Sequence, residues 1–158
     1  MNKLISVFAG LFLLLSICVQ GEEELVGPLS KEDLLQNLPE WEELVASYIP
    51  KPEIIEKLKL IDQKIKVEVF LGTWCPDCKQ HVSAYCKIME MADNPLISTS
   101  YTGIPRDREA RQEFIQGKNI VKVPTFIIYF QDQEKGRIIE IPTKSLEEDL
   151  LDIIKGIK

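Results

Sequence analysis

Apolar and polar residues follow one another along this chain in a few distinct rhythms, and each rhythm predicts an element. Ser30 with Asp33 three residues later has the form of a capping box and opens a short helix to about Asn37. Pro39 opens a second helix, from Glu40 to about Tyr48, which Pro50 and Pro52 end. Pro52 suits the first turn of a third helix, with Ile54, Ile55, Leu58 and Ile61 on its apolar stripe. From Lys64 the rhythm changes. Val67–Leu71 reads as a strand, Gly72–Cys75 as a turn, and Pro76 to about Ala92 as a helix with Cys78, Val82, Tyr85, Cys86 and Met89 inward. Asn94-Pro95 stops that helix. Leu96–Tyr101 is a second strand, and Asp107–Gln116 a second helix with Gly117 as its C-cap. Thr125–Phe130 is a nearly unbroken apolar run, as a central strand covered on both faces requires. Asp132–Gly136 turns the chain, Arg137–Ile141 returns as an antiparallel strand, and Ser145 caps a last helix with Leu146, Leu150 and Ile153 along one side.

The order is a helical preface, then βαβ, α and ββα. That is an α/β fold with helices on both faces of a mixed sheet. Residues 22–63, after an acidic lead over 22–28, form a helical extension packed on the domain of residues 64–158. Its apolar stripes must cover something.

Composition narrows the function. The chain has 158 residues, 45% hydrophobic, with 19 Lys and Arg against 25 Asp and Glu and a formal charge of −6. One domain of ordinary size fits that length, and the apolar fraction suffices for a core. An acidic balance argues against a nucleic-acid partner, which would need a basic face. No run of about 20 apolar residues follows the N-terminus, so no internal membrane span is expected.

The first 21 residues differ from the rest. Lys3 precedes the apolar run Leu4–Val19, then Gln20-Gly21 and the acidic Glu22-Glu23-Glu24. This is the grammar of an export signal. Three readings stay open: cleavage after Gly21, lipidation at Cys18 after the lipobox-like Leu15-Ser16-Ile17, or an uncleaved anchor. The expected address is exported, periplasmic or extracellular, with membrane attachment only through lipidated Cys18 or an uncleaved anchor.

Four cysteines occur, Cys18, Cys75, Cys78 and Cys86. With Cys18 in the leader an odd number remains, in a chain long enough to build a core, so Cys75 and Cys78 are expected to react rather than to staple. Trp74-Cys75-Pro76-Asp77-Cys78 sits where a strand becomes a helix. Cys75 at the helix N-terminus meets free N–H groups and the dipole, which favour a thiolate. Cys78 lies one turn on, placed to resolve a mixed disulfide. Pro76 takes the first helical position, where its missing N–H costs nothing. Val123-Pro124-Thr125 precedes the central strand, and a cis bond there would set backbone beside the dithiol for pairing with an extended substrate.

At these residues the chain resembles the thioredoxin superfamily, and in particular its exported bacterial thiol–disulfide oxidoreductases. The resemblance covers Lys64 to Lys158 and rests on Trp74-Cys75-Pro76-Asp77-Cys78 after a strand, Val123-Pro124-Thr125 before one, and the element order. It implies a thioredoxin-like fold, Cys75 as attacking thiol, Cys78 as resolving thiol, a redox-active Cys75–Cys78 disulfide, Pro124 as the cis-proline and Trp74 as a shield. Val123 and Thr125 would bind substrate. The implied activity is reduction of protein or small-molecule disulfides, with a membrane-linked protein as electron donor. A disulfide oxidase or isomerase, or a binding module that keeps the fold, stands as the alternative. The family's buried Asp six residues before the first Cys is replaced here by Val69, which leaves Glu68 as the candidate base.

The remaining candidates weigh less. Cys75, Cys78, His81 and Cys86 do not make a zinc site, because a helix spreads Cys78 and Cys86 over about 12 Å. No metal or organic cofactor is required. His81 is a surface residue beside the dithiol or electrostatic support for the Cys75 thiolate, and Cys86 a small core filler. Arg106, Arg108 and Arg111 are a solvated helix face or a docking patch for an acidic partner. Asp77 puts negative charge within a turn of Cys75 and predicts a thiol near neutral, as in a reductase.

Overall fold

The computed structural model describes residues 24–157. The leader, with Cys18 and the calls made on residues 1–21, lies outside the described residues. Five strands and six helices follow in the order β1 (Gly27–Leu29), α1 (Lys31–Asn37), α2 (Pro39–Ser47), α3 (Pro52–Lys59), β2 (Ile65–Leu71), α4 (Pro76–Ala92), β3 (Ile97–Gly103), α5 (Gln112–Ile115), β4 (Thr125–Phe130), β5 (Gln133–Ile139) and α6 (Leu146–Lys155). The strands form one mixed sheet in the order β1-β3-β2-β4-β5. Only β2 and β3 run parallel, joined by α4; the other neighbours are antiparallel. This is the α/β sandwich that the apolar rhythm predicts.

Register sorts the side chains. Val67 pairs with Thr99 and Ile128, and Val69 with Tyr101 and Phe126, so these residues share one face. Helix α4 packs there: the Tyr85 ring lies 5.3 Å from Phe126 and 6.3 Å from Tyr101. Glu68, Phe70 and Ile127 take the other face. Thr125, Phe126, Ile127 and Ile128 are all buried, which places β4 at the covered centre.

The preface covers the outer side of α4. Trp41, Val45, Ile55 and Leu58 are buried, and α2 and α3 lie against α4. This widens the buried surface of α4 beyond the expected stripe. Ser83, Ala84 and Ile88 are buried too, whereas Met89 is only partly so. The expected capping box at Ser30 and Asp33 forms, and the expected cap Ser145 makes a second box with Glu148. Asn94 follows the left-handed Asp93 and donates to the carbonyls of Leu58 and Ile61, tying the end of α3 to the end of α4.

Four elements differ from expectation. The lead contains β1, a three-residue edge strand too short and too rich in Gly and Pro to carry a periodic signal. It runs close: a Cβ at Gly103 would sit 2.2 Å from the Leu25 carbonyl oxygen, so that position requires glycine. Helix α5 has only four residues rather than ten. Its expected first half has no apolar face, and Asp107 Oδ1 turns the chain early by accepting from the N–H groups of Glu109 and Ala110. Strand β5 begins at Gln133, because Gln131 and Asp132, both left-handed, make a two-residue hairpin turn. In α6 the buried side is Leu146, Leu150, Leu151 and Ile154, with Ile153 half-buried beside Gly136.

Candidate active site

The end of β2 delivers the chain to Gly72, and Pro76 starts α4, so Cys75 becomes the N-cap of α4 and Cys78 lies in its first turn. Both thiols are buried, at 8% and 0% exposure, and neither is in a disulfide. The attacking thiol expected at the helix N-terminus is therefore a covered one. Its Sγ meets the carbonyl oxygen of Val123 at 3.5 Å, which sets the Val123-Pro124 segment directly against it. The Val123–Pro124 peptide bond is cis.

The two thiols are chemically unlike. The Cys75 thiol is pulled down to about 6, first by a hydrogen bond from the Cys78 thiol and then by the backbone N–H groups of Cys78 and Asp77, against desolvation and the Asp77 charge. Burial, and the donation of its own proton to Cys75, push Cys78 far up. Gly72 N–H donates to Cys78 Sγ at 3.3 Å. A chain of donors thus runs from Gly72 N–H to the Cys78 thiol to the Cys75 sulfur, each link polarising the next.

Trp74 is locked beside this pair. Its Nε1 donates to the Ile104 carbonyl at 3.0 Å, and the guanidinium groups of Arg111 and Arg106 stand 4.8 and 5.6 Å from its ring. Arg111 also donates to the carbonyls of Pro105 and Arg106, so it fastens this loop to the ring. The ring lies against Gly72, where a Cβ would come to 2.5 Å from it. Arg106 and Arg111 are thus wedged on Trp74 instead of lining a helix face. Their sequence context carries no signal for this role, whereas a glycine just before the dithiol motif is a readable one.

The other candidates sort clearly. Glu68 is not brought to the dithiol. It lies on the sheet face opposite α4, and its carboxylate takes Lys66 at 2.7 Å and Lys118 at 2.5 Å. Val69, at the family's base position, is fully buried. Thr125 spends its hydroxyl on the Lys122 carbonyl at 2.6 Å, closing the loop before β4. Asp77 and exposed Pro76 border the dithiol. Burial pushes the His81 imidazole down, so it is neutral at pH 7 and lends the thiolate no charge. Lys79 is held 3.7 Å from Glu40. Cys86 is buried against the Tyr101 hydroxyl, 3.6 Å away.

The thioredoxin family model matches residues 30–151, and the chain belongs to the thioredoxin family. The match reaches back over α1–α3. A protein of unknown function from Pseudomonas aeruginosa is similar at 18% identity, with 76% of this chain and 82% of that one covered and a TM-score of 0.56. An HIV epitope-scaffold is similar with the same figures: 18% identity, 76% and 82% coverage, and a TM-score of 0.56. The germline-specific thioredoxin Deadhead of Drosophila aligns at 19% identity over 67% of this chain and 90% of its own, with a TM-score of 0.44. No curated protein matches the sequence. Family membership and the Cys75/Cys78 pair together define a thiol–disulfide oxidoreductase type of protein.

Proposed function

We propose that this chain is an exported reductase of protein disulfides. The carrying observation is the asymmetry of the dithiol, one sulfur lowered to about 6 and its neighbour raised by burial. At pH 7 the Cys75 thiolate attacks one sulfur of a substrate disulfide. A mixed disulfide forms, and the other substrate sulfur leaves and takes a proton. Cys78 then loses its proton, attacks Cys75 Sγ, and releases the second substrate sulfur as a thiol. The substrate gains two electrons and the protein ends as the Cys75–Cys78 disulfide. Among the described residues, the Gly72 N–H is the polar group on Cys78 that supports its thiolate, since Val69 offers none.

The direction follows from magnitudes. Thiols of about 7 mark thioredoxin, and of about 3.5 a strong oxidant. Cys75 at about 6 is nearer the first. The leader supports an extracytoplasmic address, free or lipidated at Cys18, and a reductant there needs a donor, which we assign to a membrane-linked electron-transfer protein. Insulin reduction by the purified protein tests the activity. Turnover lost in Cys75→Ser is the expected result; equal rates in both would remove the reading.

A further inference from the structure

Beside the dithiol, α2 and the first turn of α4 enclose a groove of about 490 Å³ lined by Leu44, Tyr48, Ile49, Pro76, Lys79 and Gln80. Ile49 is 87% exposed, among the most exposed large apolar side chains of the described residues. It is not a stray surface residue, because the Tyr48 side chain before it and the Lys51 backbone after it are both held by one carboxylate. Glu147, 1% exposed, accepts from the Tyr48 hydroxyl at 2.8 Å and from Lys51 N–H at 3.1 Å. With its hydroxyl so engaged, Tyr48 gives the groove its ring. The cation on the rim, Lys79, stands 3.7 Å from the Glu40 carboxylate, so the pair adds no net charge to the rim. The result is a preformed, mainly apolar slot with no net charge on its rim, its wall tied to a buried carboxylate.

The slot is continuous with the redox centre, because Pro76 belongs to both. From Pro76 to Gln80 the helix advances about 6 Å, the length of roughly two residues of extended chain. We propose that this groove receives an aliphatic side chain of a polypeptide disulfide, two or three residues along the client chain from the cysteine that Cys75 attacks. This rests on the reductase reading and adds the substrate class: extended protein segments with an apolar residue near the disulfide, in preference to acidic peptides or small anionic disulfides. The helical preface thereby becomes a specificity element.

The test uses two synthetic disulfide-bridged peptides that differ only in carrying Leu or Asp at the third position from the cysteine. Wild-type protein should favour the Leu peptide in kcat/KM, and Ile49→Glu should cut that preference about fivefold through KM, with Ile49→Leu restoring it. At 87% exposure Ile49→Glu does not threaten the fold. An unchanged preference in Ile49→Glu overturns the groove. So does a wild-type dimer in sedimentation that Ile49→Glu dissociates, since the slot is then a self-association face. Hydroxyethyl disulfide separates the two levels. Wild-type protein inactive on it removes the reductase reading, and the groove is then judged by fluorescence anisotropy of the labelled Leu peptide on a Cys75→Ser/Cys78→Ser protein. Binding weakened by Ile49→Glu keeps the groove, and equal or absent binding overturns it.

Discussion

Replacing Cys78 by Ala should raise the pKa of Cys75, because the hydrogen bond from the Cys78 thiol is the largest of the influences that lower it. In the wild-type protein Cys75 at about 6 is roughly nine-tenths thiolate at pH 7. Against an unperturbed thiol near 8.5, that thiolate stabilises the reduced fold by about 1.4 kcal/mol at pH 7. The sign follows from a depressed folded-state pKa: the contribution is complete above the unfolded pKa and is lost as pH falls through about 6. For a two-electron couple the same 1.4 kcal/mol raises the potential by only about 30 mV. In Cys78→Ala the N–H groups of residues 77 and 78 and the helix dipole remain, so the midpoint should move to roughly 7–8 rather than to the free value. Less than half of Cys75 is then thiolate at pH 7. Thiolate absorbance near 240 nm against pH, checked by the pH profile of iodoacetamide alkylation, reads the midpoint directly. A variant still titrating at about 6 would refute the donor chain and leave the backbone and dipole as the cause.

Three further outcomes are expected. Glu147→Ala leaves the Tyr48 hydroxyl and the Lys51 N–H without their buried acceptor, and urea unfolding should show a loss of about 2–4 kcal/mol; a loss under about 0.5 kcal/mol would show that nothing depends on the clamp. Cys86→Ala should cost about 1–2 kcal/mol and leave insulin turnover nearly unchanged, because about 12 Å of helix separates Cys86 from Cys78; activity falling as it does in Cys78→Ser would contradict this. Glu68→Gln should leave the rate of mixed-disulfide resolution, followed by stopped-flow, within twofold of wild type, since Glu68 lies on the far face of the sheet paired with two lysines; a tenfold slowing would restore it as a base.

The strands and helices with strong periodicity were legible, and so was the dithiol at the β2–α4 junction, because Pro76 and the apolar run before it fix the local geometry. Legibility failed where tertiary contacts overrule local pattern. The four-residue α5 starts late, at Gln112, because Asp107 Oδ1 turns the chain before it and Arg111 spends its guanidinium on the carbonyls of Pro105 and Arg106 and on the Trp74 ring. The hairpin at Gln131-Asp132 uses two non-glycine residues in left-handed conformation, so local pattern puts the turn at Asp132–Gly136, later than it lies. The burial of Cys75 by the Val123 carbonyl joins residues 48 positions apart and has no local signature. Adjacent strand residues point to opposite faces, so Glu68 next to Val69 is readable as lying away from the dithiol, and the sheet register shows where each one goes.

The reduction potential bears most directly on a reducing role. Equilibrating the protein against defined mixtures of reduced and oxidised glutathione, and trapping the thiols with acid, gives the midpoint. A Cys75 thiol at about 6 with the Asp77 charge opposing its ionisation should yield a value nearer the roughly −270 mV of thioredoxin than the roughly −120 mV of a strong oxidant. A midpoint above about −160 mV would contradict the reductase and make the protein a donor of disulfides.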